Sequence, residues 1–304
     1  MPDLQVINRV TGELEIESVY GDAALELVYG DSLFARLVGR PLLLRLVRTA
    51  PFAALYGWWQ RQSWSRQKIQ PFIERFDVDC SEFALAPSAF SSFNDFFTRC
   101  LKEDARPIDS NPDSLVIPAD GRYRFIPRID PTLTVHVKGQ EIDLPRLLGS
   151  AETAKRYAGG SMLIARLCPT DYHRFHFPCD GISATPRLIN GWLYSVNPIA
   201  LERFSNIFCE NRRFINEIET EKFGCIQYLE VGATCVGSVT HTHEGNTPCS
   251  KGAEKGFFSF GASALILIFE PKRLRFCDDI LKFSTESCEL RCLMGQAMAF
   301  RSQE

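Results

Sequence analysis

The sequence predicts an α+β protein in which a helical N-terminal arm is followed by a β-rich domain with a sandwich-like or barrel-like core. Over residues 22–110, apolar residues recur at roughly helical spacing, and prolines interrupt the pattern. After about residue 113 the chain changes to short runs rich in Val, Ile, Phe and Tyr, separated by turn residues. We therefore predict a mostly helical region at residues 1–112 and a β-rich domain at residues 113–304.

The composition excludes several classes of protein. Hydrophobic residues make up 45% and charged residues 23% of the 304 residues, which is ordinary for a folded chain and not for a disordered one. The formal net charge of −3 argues against a general nucleic-acid binder, so we expect no nucleic-acid partner. The start of the chain lacks the basic and apolar regions of an export signal, and the 11 cysteines are scattered. We therefore expect reduced thiols inside the cell.

The arm combines basic, aromatic and apolar residues. Between Asp31 and Glu74 there is no acidic residue. The same stretch contains seven cationic residues and three tryptophans: Arg36, Arg40, Arg45, Arg48, Arg61, Arg66, Lys68, Trp58, Trp59 and Trp64. These charges leave no uncharged span of about 20 residues, so we do not expect a transmembrane helix. The pattern is typical of a helix in the headgroup layer of an anionic membrane, although an amphipathic packing helix with a solvated basic face also fits.

The run EKGFFSFGASALILIFE, residues 254–270, predicts a buried strand. A small-residue step that contains Ser263 interrupts its apolar residues. A buried hydroxyl needs either a hydrogen-bond partner or a chemical task. The pattern alone favours a core strand with a kink, and a nucleophilic serine is the alternative.

Two of the five histidines, His173 and His176, lie in the segment DYHRFHFPCD. Its aromatic, proline-terminated composition favours a strand, which places the two imidazoles on opposite faces. A metal site completed by Cys179 or Asp180 is therefore disfavoured, and we expect no metal. Core histidines bonded to backbone groups stay an alternative. The other pair, in THTHEG at residues 240–245, is expected to lie in solvent.

Asp120 lies in IPADGRY, at an Asp-Gly step that is usually a structural turn. An aspartate, a histidine of the His-x-x-His segment and Ser263 are also the residue types of an orienting acid, a base and a nucleophile. The residue types permit such a triad, but their separation in the sequence does not establish it.

Six segments follow one another in order along the chain. They are SFNDFFTRCLKEDARPID (92–109), IPADG (117–121), YHRFHFP (172–178), INGWLYSVNP (189–198), VGATCVGSV (231–239) and KGAEKGFFSFG (251–261). Taken together, they resemble the phosphatidylserine decarboxylase family, and the resemblance runs from about residue 5 to residue 300. The resemblance implies a pyruvoyl-dependent lyase that makes phosphatidylethanolamine from phosphatidylserine at a membrane surface.

The resemblance also implies roles for individual residues. In that family the precursor cuts itself before a serine, which becomes the pyruvoyl group, and here the matching residue is Ser263. Its hydroxyl is expected to attack the carbonyl of Ala262, and the products are a large and a small subunit. His176 is the implied base, oriented by Asp120. His173 is the implied proton donor to the substrate carbon, because an imidazole pKa near neutrality suits that task.

The cut site departs from the Gly-Gly-Ser-Thr pattern of the family. This chain has Gly261-Ala262-Ser263-Ala264. If the position before the serine needs a positive φ, alanine costs roughly 1–2 kcal/mol there. Such a cost slows cleavage by about one order of magnitude without abolishing it. Loss of the threonine hydroxyl adds a penalty if that group bonds the tetrahedral intermediate.

Several interpretations stay open at this point. The chain is an active decarboxylase precursor, a non-processing and catalytically silent lipid-binding relative, or a cleavage-blocked variant. A pyruvoyl decarboxylase for a free amino acid is a further alternative, which the basic, tryptophan-rich arm argues against. We favour the phosphatidylserine decarboxylase precursor, bound peripherally at the cytoplasmic face of an anionic phospholipid membrane. A homodimer is left open.

Overall fold

The computed structural model describes residues 4–137, 139–234, 239–261, 263–284 and 288–302. The fold is α+β, as the sequence predicts. In these ranges one large sheet and three smaller sheets contain the strands, and helices lie between strands in the chain order.

The helices are concentrated in the N-terminal third. The α-helices are α1 (Asp22–Tyr29), α2 (Leu44–Val47), α3 (Ala50–Gln60), α4 (Ile69–Phe76), α5 (Phe93–Phe97), α6 (Leu144–Leu148), α7 (Ala151–Lys155), α8 (Pro198–Leu201), α9 (Ile207–Glu210) and α10 (Asp278–Ser284). A π-helix (Ala35–Leu43) runs directly into α2, and 3-10 helices occupy Ser63–Lys68, Cys80–Glu82 and Pro87–Ala89. After residue 113, in the region predicted to be β-rich, the described chain has five short helices, α6 to α10. They span four to seven residues each, too short for a clear periodic pattern.

The strands begin before the arm and continue to the C-terminus. They are β1 (Leu4–Asn8), β2 (Leu14–Glu17), β3 (Ser114–Val116), β4 (Gly121–Ile126), β5 (Thr134–Val137), β6 (Gln140–Asp143), β7 (Ser161–Leu167), β8 (Arg174–His176), β9 (Gly181–Ser183), β10 (Arg187–Ile189), β11 (Arg213–Thr220), β12 (Gly224–Val231), β13 (Val239–His241), β14 (Thr247–Cys249), β15 (Glu254–Phe258), β16 (Ser263–Phe269), β17 (Leu274–Phe276), β18 (Glu289–Cys292) and β19 (Ala297–Arg301).

The large sheet has the order β14-β9-β11-β12-β16-β7-β4-β18-β1-β2, and β10 pairs with β11. The smaller sheets are β13-β15-β8, β17-β19-β3 and β5-β6. At one edge, β1 pairs in parallel with β18, and Val6 lies opposite Glu289. Residues 4–17 are therefore part of the large sheet, although we assigned them to a mostly helical region. Apolar and polar residues alternate in LEIE of β2, but its apolar residues Leu14 and Ile16 are exposed and Glu17 is buried, so the pattern does not follow a hydrophobic core.

The side chains of β16 alternate between two hydrophobic cores. Leu265 and Leu267 lie in a core that includes residues of the smaller sheets, which gives this face a sandwich-like packing. Ala264 and Ile266 lie in a second core on the opposite face. All seven residues of β16 are buried, which confirms the predicted core strand. Because side chains alternate along a strand, Ser263 shares the face of Leu265.

A third core joins the helical arm to the start of β16. It is built mainly from phenylalanines of α4 and α5 together with Phe260. The ring of Phe260 lies 5.0 Å from that of Phe93 and 4.8 Å from that of Phe97. The arm is therefore packed directly against the segment that leads into Ser263. No helix in the described ranges is both long enough and apolar enough to cross a membrane.

Candidate active site

Ser263 is the first residue of β16, between β12 and β7, and its backbone lies opposite Leu167. Its side chain is completely buried, and its Oγ has no hydrogen-bond partner among the described residues. Such a buried, unsatisfied hydroxyl is costly and calls for an explanation. Ala262, the predicted residue on the other side of the cut, lies outside the described residues. Gly261 has a φ of 134°, which a glycine adopts readily.

The ends of three neighbouring strands lie close together on the side of the sheet where Ser263 begins β16. β16 begins there, β7 ends at Leu167, and β4 begins directly after Asp120. Arg122 of β4 pairs with Arg166 of β7, which places Asp120, just before β4, near the end of β7. Two strand spacings separate β4 from β16, a backbone distance of about 10 Å. The fold thus brings Asp120 and Ser263 to one edge, despite their separation in the sequence.

His173 is held by the end of β7. Its Nε2 lies 2.8 Å from the carbonyl oxygen of Cys168. Because a carbonyl oxygen only accepts hydrogen bonds, Nε2 carries the hydrogen, and Nδ1 is unprotonated and without a described partner. Burial lowers the pKa of His173 to about 3. The imidazole is therefore neutral at pH 7. The expectation of a pKa near neutrality was wrong, because the sequence could not show that the ring is fully buried and stacked on Phe97 at 3.9 Å.

His176 lies in β8, as the sequence predicted, and has the opposite tautomer. Its Nδ1 lies 2.9 Å from the carbonyl oxygen of Gly252, so Nδ1 carries the hydrogen and the buried Nε2 is unprotonated. Burial lowers the pKa of His176, while the hydrogen bond to Gly252 and the negative charges of Glu254 and Asp120 oppose this shift. The backbone N–H of His176 donates to the carbonyl of Pro118 at 2.8 Å, which fixes β8 beside the segment that carries Asp120.

Asp120 is bound by an arginine rather than by a histidine. Its carboxylate accepts hydrogen bonds from Arg106 at 2.7 and 3.0 Å and from the backbone N–H of Met294 at 2.8 Å. Arg106 also donates to Glu82 at 2.8 Å. None of the hydrogen bonds in the described part of the chain joins Asp120 to His176. The orienting group of His176 is the carbonyl of Gly252, so the implied Asp120–His176 hydrogen bond is replaced by a longer-range electrostatic effect.

Contacts through Phe97 link His173 to the segment that leads into Ser263. The ring of Phe97 stacks on His173 and also contacts Phe260, three residues before Ser263. Sequence reasoning missed the carbonyl groups of Cys168 and Gly252 as the groups that set the two tautomers. Backbone carbonyls leave no signature in a sequence. Gly252 and Arg106 do lie in segments that carry the family resemblance, so these segments were the available signal.

A buried charge cluster lies on the face of the sheet that carries Ser263. Glu230 of β12 is opposite Leu265, and its carboxylate forms an ion pair with Lys255. His241 Nε2 is 3.4 Å from the same carboxylate. Burial alone would raise the pKa of Glu230, but the interactions with Lys255 and His241 outweigh it and hold the pKa below its usual value. The expectation that His241 lies in solvent was wrong, because its ring is turned inward toward Glu230.

Lys255 reaches this position from a β-bulge. The pairing of β15 with β8 runs Glu254↔His176 and then Gly256↔Phe175, which leaves Lys255 as the extra residue. A bulge re-aims a side chain and is common beside active sites. The bulge that turns Lys255 inward therefore lies directly next to the strand position of His176.

A cavity of about 290 Å³ lies between the arm and the edge of the sheet at Ser263. Its lining includes Gly261 and Phe260 from the approach to β16 and Leu167 opposite Ser263. Tyr20 and Tyr56 contribute aromatic surface from the arm side. A second, polar cavity of about 570 Å³ is lined in part by Asp120, Arg106 and Tyr172. The site thus has an apolar cavity on one side and a charged cavity on the other.

An unpartnered serine hydroxyl and two imidazoles, each with an unprotonated nitrogen, define a candidate site of the serine-nucleophile class. Comparison with known proteins narrows this class. Residues 93–299 match the family model of phosphatidylserine decarboxylase. The chain belongs to the phosphatidylserine decarboxylase family.

Similar proteins from three bacteria are named phosphatidylserine decarboxylase proenzyme. The one from Chlamydia pneumoniae is 48% identical over 252 residues, which cover 83% of this chain and 83% of that protein. The one from Chlamydia caviae is 48% identical over 251 residues, 83% of this chain and 84% of that protein. The one from Chlamydia muridarum is 47% identical over 251 residues, 82% of this chain and 83% of that protein.

Proposed function

We propose that the chain is the precursor of a phosphatidylserine decarboxylase, which releases carbon dioxide from the serine headgroup of phosphatidylserine and leaves phosphatidylethanolamine. The membership of the family supports this function, and the names of the similar proteins indicate a precursor that is processed. The observation that carries the proposal for this chain is the buried Ser263 hydroxyl without a described partner at the start of a core strand.

Ser263 is the proposed nucleophile of self-cleavage. Its Oγ attacks the carbonyl carbon of Ala262, which forms an ester and frees the amino group of Ser263. Loss of the Cα proton of Ser263 then breaks the bond between Cβ and Oγ. Ala262 leaves as a carboxylate, and residue 263 becomes dehydroalanine. Water converts this group into a pyruvoyl group and releases ammonia.

His176 is the proposed base for the Ser263 hydroxyl. Its tautomer supports this role, because Nδ1–H is bound to Gly252 and the unprotonated Nε2 is available to accept a proton. Asp120 is proposed to act through its charge, which favours the protonated form of His176. In this arrangement Arg106 holds the carboxylate and Gly252 holds the imidazole.

The residues at this edge of the sheet fit a pyruvoyl group derived from Ser263, because its position is enclosed and adjoins an apolar cavity. That group supplies an electron sink for decarboxylation. His173 is the proposed residue that delivers a proton to the substrate carbon. Since its ring is neutral in the precursor, Nδ1 has to take up a proton before it can donate one.

The cavity beside Ser263 supports a lipid substrate. Its lining is mostly apolar and aromatic, with a few polar groups that include Ser195 and Asn197. A free amino acid would leave most of this apolar surface without a contact, whereas the glycerol and acyl portion of a phospholipid would cover it. The cavity also opens between the helical arm and the sheet, so lipid bound to the arm lies close to it.

The arm is the proposed membrane-binding region. Large apolar side chains are exposed on it, namely Leu33, Phe34, Leu37, Leu42, Leu46, Leu55, Trp58, Trp59 and Trp64. Arginines alternate with them, and both features suit a helix that lies among anionic headgroups. The cytoplasmic leaflet is the proposed location, because its anionic lipids attract such basic segments.

Measurement of intact mass and of released carbon dioxide tests the function. We expect the purified protein to give two fragments that meet at the bond between residues 262 and 263, and the smaller one lacks the mass of ammonia and carries a carbonyl. Ser263→Ala is expected to stay whole, whereas Ser259→Ala, at another buried serine of the same segment, is expected to be processed. Carbon dioxide release from phosphatidylserine, but not from free serine, supports the lipid decarboxylase. An uncut and inactive wild-type protein would instead support the catalytically silent relative.

A further inference from the structure

A groove of about 490 Å³ on the arm is lined by four arginines, which are Arg36, Arg40, Arg45 and Arg48. Arg36 and Arg40 lie in the π-helix Ala35–Leu43, and Arg45 lies in α2, into which the π-helix runs directly. A π-helix bonds residue i to residue i+5, so its turn is wider than that of an α-helix, and a spacing of four residues keeps Arg36 and Arg40 on one side. Arg45 and Arg48 extend the lining of the groove beyond the π-helix.

The groove carries uncompensated positive charge. Asp31 is the carboxylate that pairs with its arginines in the described chain, at 3.2 Å from Arg40 and 3.6 Å from Arg36, and it also pairs with Arg203. None of the ion pairs among the described residues includes Arg45 or Arg48. A single carboxylate therefore faces several guanidinium groups, which favours a bound anion.

Arg48 is held in position by aromatic rings. Its guanidinium carbon lies 4.1 Å from the centre of the Trp192 ring and 5.2 Å from that of Tyr194, and it donates a hydrogen bond to the Tyr194 hydroxyl. The backbone carbonyl of Arg48 accepts a hydrogen bond from Leu193 at 2.9 Å. Its Nε is buried without a described partner. A planar guanidinium fixed in this way is preorganised to bind phosphate oxygens.

The surroundings of the groove indicate the kind of anion. Leu37, Leu42 and Leu46 lie on the same helical stretch and are more than half exposed, at 67%, 65% and 56%. An inorganic anion would make no use of these side chains, whereas a phospholipid presents a phosphate with acyl chains directly beside it. The combination of a cationic floor with an apolar rim matches that chemistry.

We propose that this arginine groove binds the phosphodiester of an anionic phospholipid, at a site separate from the cavity beside Ser263. The two cavities have no lining residue in common. The assignment rests on the proposed membrane function of the arm. In this proposal one lipid molecule binds in the arginine groove, and a second lipid molecule occupies the cavity beside Ser263 as the substrate.

A matched pair of variants tests the groove in the full-length protein. Arg45→Gln removes an exposed arginine of the groove, and Arg61→Gln removes an exposed arginine elsewhere on the arm. Titration with monomeric dihexanoylphosphatidylglycerol is expected to give saturable binding in the wild type and in Arg61→Gln. In Arg45→Gln the affinity is expected to fall at least about tenfold. Equal loss in both variants, or binding without saturation in the wild type, would overturn the proposal.

Two further measurements separate the sources of phosphate and the proposed functions. Inorganic phosphate is expected to compete only weakly, and equal affinity for it would overturn the lipid assignment. Each variant loses one surface charge, which lowers binding to vesicles of phosphatidylcholine with phosphatidylglycerol roughly fivefold. Arg45→Gln is expected to bind these vesicles more weakly than Arg61→Gln, because it also loses a contact of the groove. Decarboxylation of detergent-dispersed phosphatidylserine by the wild type is measured separately from binding to the groove. Its absence in the wild type would contradict the proposed enzyme activity and not the groove.

Discussion

The Nδ1 atom of His176 lies 2.9 Å from the carbonyl oxygen of Gly252, and Gly252 has a φ of +79°. A residue with a Cβ avoids this backbone conformation, so glycine allows the carbonyl to point at the imidazole. The same glycine donates its N–H to the carbonyl of Phe177 at 2.9 Å, which ties it to the chain just after His176. The tautomer of His176 therefore depends on the conformation of a residue that has no side chain.

Gly252→Ala is expected to slow self-cleavage by about one order of magnitude, because a strain of 1–2 kcal/mol displaces the carbonyl that orients His176. The new Cβ would also lie 2.8 Å from the side chain of Ile108. The rate at which the small fragment appears on a denaturing gel measures the effect. Gly159→Ala is the matched control, since Gly159 has a φ of +73° and open space around it. It should lose similar stability and keep the wild-type cleavage rate; equal slowing in both variants would exclude a specific role for Gly252.

Ala262→Gly is expected to accelerate self-cleavage by about tenfold, because it removes the Cβ from the residue whose carbonyl is attacked. The measurement is a time course of intact mass after synthesis of the unprocessed chain. Ala264→Gly makes the same chemical change on the other side of Ser263, in the second core, and should lower stability without accelerating cleavage. An unchanged rate in Ala262→Gly would show that alanine before the serine imposes no penalty in this chain.

The stability of the precursor is expected to fall with acid because of His173. Its folded-state pKa of about 3 is below its ordinary value of 6.5, so the unfolded state binds more protons between these values. Stability from this group is thus present above pH 6.5 and is lost as the pH falls toward 3. Between pH 6.5 and 5 the loss is about 2 kcal/mol. Urea unfolding of wild type and His173→Gln, both in a Ser263→Ala background that prevents cleavage, measures the difference; parallel curves for the two proteins would contradict a depressed pKa.

The buried ion pair of Lys255 and Glu230 is expected to stabilise the fold only while both charges are present. Lys255→Met leaves the Glu230 carboxylate buried beside His241 without its cation, which costs about 3–5 kcal/mol. The double variant Lys255→Met, Glu230→Leu replaces both charges and should recover most of that stability. A double-mutant cycle by urea unfolding gives the coupling energy. Additive losses would mean that the two side chains do not stabilise each other.

The sequence predicted the parts of the fold that have a strong periodic pattern. The apolar run after Ser263 and the aromatic segment around His176 are strands, and the arm is helical. The pattern was too short for β1 and β2, and the place of β1 beside β18 depends on a pairing across nearly the whole chain. The same limit applies to the short helices α6 to α10.

The candidate site was predictable in its residue types and not in its hydrogen bonds. A serine within an apolar run needs an explanation whatever the fold, which is why Ser263 could be selected. The partner of Asp120 could not be deduced, because Arg106 and His176 are equally plausible for a carboxylate until their positions are known. Full burial of His173 likewise depends on α5, which lies more than 70 residues earlier in the sequence.

The position of β16 determines whether the two fragments of the proposed cleavage can separate and refold. In the proposed cleavage, the piece that begins at Ser263 contains β16, between β12 and β7, and also β18, between β1 and β4. Each of those four neighbours belongs to the other piece, so the two are interleaved and cannot separate while the sheet is intact. The uncut chain folds as one molecule, but a denatured, cut enzyme would have to reassemble by a bimolecular encounter. Under the proposed cleavage, folding has to come first, and we expect the cut protein to persist because it unfolds slowly rather than because it can readily form again.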